Sequence, residues 1–462
     1  MTKPMTQRIP DGGNLSGLIA ASPVRGREFE TSQMALRLDE FWSTTRLGAN
    51  LLRLAGRSVI LLTDDALAAG AALIELDGLA RRIVLCPPDF DRAHLRSVAR
   101  DSEADAIVFS GTQRPPDDVG VELLAKYGDA ATPASAQESR KFATEWVLMT
   151  SGTTGVPKMV VHTLATLTSA IRPAPLQNWA TFYDIRRYGG LQIFLRALTG
   201  SGSLTLPGVD ETTEEFLIRC GAAGVTHISG TPSHWRRVLM SQAARRMDPQ
   251  YVRLSGEIAD AAVLNALATL YPRASIGHAY ASTEAGVGFA VDDGVPGFPA
   301  SFAERDDAEV AMRIIDGALH LRSRGAASRY LGSDAPALTD VEGFVDTGDF
   351  VERRGDRYHF IGRANGIINI GGAKVHPEEV EAIVNLQAGV RASLVKARKN
   401  PITGALVAAD VVLDEGVSAS DALRAAIIEG CRERLAPHKV PALVRFVPAL
   451  AMTPGGKLAR HG

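Results

Sequence analysis

Residues 149–158 read MTSGTTGVPK, a glycine- and hydroxyl-rich run ending in a lysine, and such a run has the ingredients of a phosphate cradle. Its spacing is not that of a Walker loop. There a glycine stands before the lysine and a Ser or Thr after it, whereas here Pro157 precedes Lys158 and Met159 follows. A second stretch, HAYASTEAG, sets Glu284 beside Thr283, and a hard cation bridging phosphates takes one or two carboxylates of this kind. VDTGDF carries Asp349, and TPGGKLAR, close to the last residue, carries Lys457. Taken singly, each has an ordinary reading: a turn after a strand, a helix-start carboxylate, a turn carboxylate, a lysine on a chain end.

These residues need elements to position them. From about Arg57, SVILLTD, RRIVLCP, DAIVFS and EWVLMT are short apolar runs, and ALAAGAALIELDG and FDRAHLRSVARDS between them are amphipathic. That alternation predicts a parallel sheet with helices on its faces, preceded by a polar leader. The MTSGTTG run follows EWVLMT and so sits at a strand end, where open α/β sheets bind ligands. From about residue 308 short strands with turn residues predict a small antiparallel section. HPEEVEAIVN then predicts a helix with Pro377 in its first turn, and DALRAAIIEGCRERL a further helix, both in a compact C-terminal unit of about a hundred residues. The expected fold is α/β: a large N-terminal body of layered sheets over residues 1–362, and a small mobile α+β unit over 363–462.

Composition narrows the class. The chain has 50 Lys plus Arg against 52 Asp plus Glu, so no net field favours nucleic acid. Cys86, Cys220 and Cys431 are far apart and show neither disulfide nor zinc spacing. With no apolar N-terminal segment and no run long enough to span a bilayer, the expectation is a cytoplasmic protein without a membrane span.

The four motifs, in this order and joined by IGRANGIINIGGAKVHPEEVE, resemble the adenylate-forming superfamily of acyl-CoA synthetases, luciferase and peptide-synthetase adenylation domains. The resemblance spans roughly residues 50 to 462 and is greatest to acyl- and aryl-CoA synthetases. It implies ATP-dependent activation of an aromatic or short- to medium-chain acid as acyl-AMP, with pyrophosphate release, followed by transfer to coenzyme A. A carrier-protein thiol as acceptor, a malonate-like dicarboxylate as substrate, and a ligand-binding homologue without turnover are the alternatives. ATP/AMP, Mg2+ and coenzyme A are the implied cofactors, and a homodimer is compatible with it.

The resemblance also implies roles. Thr150, Ser151, Gly152, Thr153, Thr154, Gly155 and Lys158 would hold the leaving phosphates, Thr283 the α-phosphate, and Glu284 the metal. Tyr280 would stack on adenine, with Gly256 and Glu257 of SGEIAD on the adenine side. Asp349 and Arg363 would hold the ribose. Asn365 would be the hinge, Gly371 and Gly372 would line the thiol tunnel, and Lys457 would reach the reacting carboxylate. Ala281 departs from the glycine usual in that position. For the acid, Phe182, Tyr188, His227 and His278 could frame a flat ring, and Arg187 or Arg237 could pair a second carboxylate; Asp184 is set too far from the following segment to mark an amino acid substrate.

Overall fold

In the computed structural model all residues are described except 1–12, 23, 42, 113, 135–140, 151–156, 173–176, 201, 305–308, 333–334, 371–372, 401–403 and 451–462. The predicted apolar runs form a seven-stranded sheet in the order Arg329–Leu331, Lys158–Thr163, Glu145–Thr150, Arg82–Leu85, Ser58–Leu62, Ala106–Phe109, Leu123–Lys126. Its five strands from Glu145–Thr150 outward are parallel, and Lys158–Thr163 returns antiparallel. The five residues of Ser58–Leu62 are all buried, which is why this strand shows no polar alternation.

A second sheet has eight strands, in the order Gly286–Val291, Ser275–Ser282, Tyr251–Ser255, His227–Gly230, Trp179–Thr181, Leu204–Thr205, Glu28–Glu30, Ala35–Arg37. Contrary to the expectation of a polar leader, the N-terminal stretch supplies the strand Glu28–Glu30, paired in parallel with Leu204 and Thr205. Three residues with one buried side chain are too short to register as a period-two pattern. Strand alternation divides this sheet into two faces. Ala180, Ile228, Val252, Leu254 and Ile276 join one core with the helices Thr213–Ala222, Pro232–Leu239 and Ala261–Leu270. Trp179 and Tyr251 belong to the opposite face, against the core that contains the helix Tyr188–Thr199.

The predicted antiparallel section is a five-stranded sheet in the order Phe298–Pro299, Arg357–Arg363, Val345–Arg354, Ala318–Ser323, Val310–Ile315. Beyond it, Val375, Val380, Val395, Val407, Ile427 and Val444 build a separate small core among the strands Val390–Asn400, Gly404–Leu413 and Leu443–Phe446 and the two predicted helices. Pro377 opens the first of these at its N-terminus, with Glu378 and Glu379 in its first turn as the helix dipole favours. No described helix is long and apolar enough to cross a membrane.

The helix Tyr188–Thr199 is seated by one contact that only glycine permits. A Cβ on Gly190 would stand 2.2 Å from the carbonyl oxygen of Asp184 and 2.8 Å from the Cα of Ile185, so the helix rests directly on the preceding backbone. Gly190→Ala is expected to lower the unfolding free energy by about 1–3 kcal/mol, the usual range for overpacking. A urea midpoint equal to that of the wild type would show that the helix can lift away without loss.

Candidate active site

The first group of predicted residues meets where the two large sheets abut. Thr150 ends its strand and is paired across the ladder with Lys158, which begins the next. The Thr150 hydroxyl lies 3.4 Å from Glu284 Oε1, and the Tyr330 hydroxyl reaches the same oxygen at 3.4 Å. Lys158 Nζ stands 5.4 Å from the Tyr330 ring centroid. Burial and the neighbouring Glu284 carboxylate push the Tyr330 phenol up to about 12, so it stays a neutral donor. Glu284 is in the turn between Ser275–Ser282 and Gly286–Val291, not at a helix start.

That turn is fixed from the seven-stranded sheet. His162 is fully buried, and its Nε2 lies 2.7 Å from the Thr283 carbonyl oxygen. Because a carbonyl only accepts, Nε2 carries the proton and Nδ1 faces the Thr166 hydroxyl at 3.0 Å. Burial pushes the imidazole down to about 4, and the bond to Thr283 offsets this only in part. The neutral ring therefore clamps the residue expected to meet the α-phosphate. Sequence reasoning passed over His162, although a histidine within MVVHT, an otherwise buried strand, is itself a signal. Tyr330 gave no such signal, since it arrives on an edge strand from far along the chain.

The residues expected to meet the nucleoside also converge. Tyr280 donates a 2.5 Å hydrogen bond to Asp349 Oδ2, and Arg363 Nε pairs with Asp349 Oδ1 at 2.8 Å. The Tyr280 ring lies nearly parallel to Phe289 and Phe360, with centroids 5.6 and 5.1 Å away. Those two phenyl centroids are 6.4 Å from each other, so they do not sandwich the tyrosine. Gly256 has φ +83, a left-handed conformation that suits glycine at the turn after Tyr251–Ser255. Glu257 accepts from the Ser233 backbone N–H at 2.9 Å, at the start of the helix Pro232–Leu239. That helix begins with a Thr231–His234 capping box, and burial holds His234 at about 3.

The residues proposed for the acid pocket do not come together, because the eight-stranded sheet separates them. Tyr188 and His227 belong to the Trp179–Tyr251 face: Tyr188 lies 5.6 Å from His162, and His227 lies 4.9 Å from Trp179 and 5.8 Å from Tyr251. His227 starts its strand, at the end remote from Gly230. Phe182 is on the other face, stacked on His234 at 5.3 Å. His278 also points away, bonding to the Val295 carbonyl oxygen at 3.0 Å. Arg187 is paired with Asp89, and Asp184 with Arg186 at 2.7 Å. Arg237 lines a cavity of about 310 Å³ shared with Glu381, Ser393 and Leu450 of the C-terminal unit, and so faces that unit rather than Tyr188 or His227. Period and residue type could not separate the faces, because register decides them.

Ser151, Gly152, Thr153, Thr154, Gly155, Gly371, Gly372 and Lys457 lie outside the described residues. Asn365 is in the single turn Ala364–Gly366 between the last strand of the five-stranded sheet and the C-terminal unit. No group of three or more His, Cys, Asp or Glu side chains able to hold a metal occurs among the described residues. One carboxylate beside hydroxyls fits a Mg2+ ion carried largely by substrate phosphates, where a resident metal would need a fuller donor set.

A fold with a large N-terminal domain and a small C-terminal one, motifs at the strand ends and a carboxylate-bearing turn between two sheets define an adenylate-forming enzyme. The chain belongs to the AMP-binding enzyme family, whose profile matches residues 66–325, and the C-terminal domain of that family matches residues 379–457. It is 27% identical over 376 residues to the long-chain-fatty-acid–CoA ligase FadD13 of Mycobacterium tuberculosis H37Rv, covering 74% of this chain and 71% of that one. An acetyl-coenzyme A synthetase of Saccharophagus degradans is 31% identical over 120 residues, 26% of this chain and only 19% of that enzyme's length. In structure it resembles the anthranilate CoA ligase AuaEII in complex with anthranoyl-AMP, with a TM-score of 0.80 at 17% identity, over 97% of this chain and 96% of that one.

The clamp has a pH signature. A buried histidine held near 4 binds its proton less readily folded than unfolded, where 6.5 is usual, so its contribution is intact above about pH 6.5 and is lost as pH falls toward 4. The loss from His162 is expected to be roughly 3 kcal/mol. His162→Gln, which keeps a donor but cannot titrate, should flatten the acid limb of stability against pH, leaving the shares of His227 and His234. At pH 7, His162→Leu should cost about 1–3 kcal/mol through the orphaned Thr283 carbonyl. An acid limb as steep in the Gln variant as in the wild type would contradict the assignment.

Proposed function

We propose that the protein activates a carboxylic acid with ATP as an acyl-adenylate and passes the acyl group to coenzyme A. The observation that carries this reading is the convergence of Thr150, Lys158, Glu284 and Tyr330 on one spot, beside a second spot formed by Tyr280, Asp349 and Arg363. The first suits a phosphate chain with its metal, and the second a nucleoside. The names of its relatives, among them fatty-acid, acetate and anthranilate ligases, support acid–thiol ligation without selecting one acid.

In this reading the carboxylate oxygen attacks the α-phosphorus and pyrophosphate leaves. Both reactants are anions, and preorganised cations and donors are the strongest means of holding them together. Lys158 and residues 151–155 take the leaving phosphates, Glu284 would hold Mg2+, which would neutralise phosphate charge, and Lys457 bridges the carboxylate and the α-phosphate. Asp349 would exchange its bond to the Tyr280 hydroxyl for the ribose hydroxyls. Residues 1–362 form the body and 363–462 the moving domain. Turning about Asn365 withdraws Lys457 and presents Gly371 and Gly372 to the thiol, with water excluded.

Two variants test the assignment of roles. Glu284→Ala should abolish acid-dependent ATP/pyrophosphate exchange, because no other described carboxylate stands beside Thr150; exchange at the wild-type rate would reject it as the metal ligand. Lys457→Ala should lose adenylation by several orders of magnitude yet convert supplied acyl-adenylate to thioester, while Asn365→Pro should keep exchange and slow thioester formation. Parallel loss of both half-reactions in both variants would argue against a moving domain.

A further inference from the structure

Between the Trp179–Tyr251 face of the eight-stranded sheet and the helix Tyr188–Thr199 lie two arginines to which neither the phosphate nor the nucleoside reading gives work. Arg253 is two residues before Ser255 on the strand Tyr251–Ser255, 9% exposed, and points to the same side as Tyr251 by strand alternation. Its hydrogen bond is a 3.4 Å contact to the Tyr251 hydroxyl, which itself donates to Asp292 at 2.8 Å. Arg196, two turns along the helix Tyr188–Thr199, has a buried Nε without a hydrogen-bond partner. Among the described residues neither arginine forms an ion pair with a carboxylate. Burial first, and the facing Arg253 second, push Arg196 down to about 9, as expected of two cations sharing one dry region.

Position gives these charges a use. The strands run in parallel toward the site, so Arg253 lies about 7 Å below Ser255 at the usual rise per residue. Above and beside it this face carries the small side chains Ser229, Gly277, Ala279 and Ala281, in register with Arg253 and Ser255 or just beyond, with Thr181 level with Arg253 and the Tyr183 hydroxyl on the Ser255 carbonyl at 2.6 Å. A Cβ at Gly277 would stand 2.0 Å from Asp292 Oδ1 and 2.8 Å from the Tyr251 hydroxyl, so nothing larger is tolerated there. A small ring or short chain with its reacting carboxylate at Thr283 would lie along these residues and end at the two guanidinium groups.

We propose that the acid substrate carries a second anionic group, a carboxylate at its far end, and that Arg253 and Arg196 are the specificity-determining residues that pair it. This rests on the acid-activating reading above. It moves the role of the second-carboxylate partner from Arg187, which is engaged by Asp89, and from Arg237, on the opposite face, to a pair that makes no direct ion pair with a carboxylate among the described residues. Removing a paired charge from a buried site leaves its partner uncompensated, so selectivity between a diacid and the matching monoacid should be large.

The test is ATP/pyrophosphate exchange with matched pairs of acids: phthalate, isophthalate and terephthalate against benzoate, and glutarate and adipate against pentanoate and hexanoate. Wild-type protein should prefer at least one diacid over its monoacid by about 30-fold or more in kcat/KM. In Arg253→Met and Arg196→Met that diacid-to-monoacid ratio should fall by about 100-fold. Because the wild-type comparison needs no variant, a misfolded mutant does not rescue the idea. Preference for monoacids throughout in the wild type, or an unchanged ratio in folded variants, would overturn it while leaving acid activation standing. Exchange with no acid of any kind would instead reject the acid-activating reading itself.

Discussion

The whole site hangs on one turn, Thr283–Glu284, held from the neighbouring sheet. His162 donates to the Thr283 carbonyl, and Thr150 and Tyr330 reach the Glu284 carboxylate. These three residues belong to the seven-stranded sheet, whereas the turn closes two strands of the eight-stranded one. A neutral, buried imidazole suits this task, because its donor cannot swing away and its charge state does not change near neutrality. The tie adds to the core that the two sheets share and fixes where the turn stands relative to Thr150 and Lys158.

Much of the fold was legible because period and composition were unambiguous. Runs such as SVILL and RIVL are buried on both faces and read as parallel strands, and Pro377 followed by two acids marks a helix start whatever the tertiary context. The residues expected to meet phosphate and nucleoside were legible for another reason: they stand in short motifs that stay contiguous in the chain. The fold brings Thr150 against Glu284, and Tyr280 and Arg363 against Asp349.

The acid pocket was not legible, since it is built from register. Phe182 and His278 differ from Tyr188 and His227 in face, and a one-residue step along a strand reverses that face. Arg253 and Arg196 gave no signal because arginines are usually exposed, and their burial without an ion pair among the described residues is not readable from sequence. The leader failed similarly: Glu28–Glu30 is strand only because Leu204 and Thr205 offer it an edge.

The central claim is that a carboxylate oxygen of the acid becomes bonded to the α-phosphorus of ATP at this turn. Tracing that oxygen tests it most directly. With acid labelled in both carboxylate oxygens with oxygen-18, ATP and coenzyme A, one labelled oxygen should appear in the AMP released and none in pyrophosphate, because thiol attack breaks the bond between the acyl carbon and that oxygen. Label recovered in inorganic phosphate together with ADP, or AMP free of label while thioester accumulates, would contradict the account.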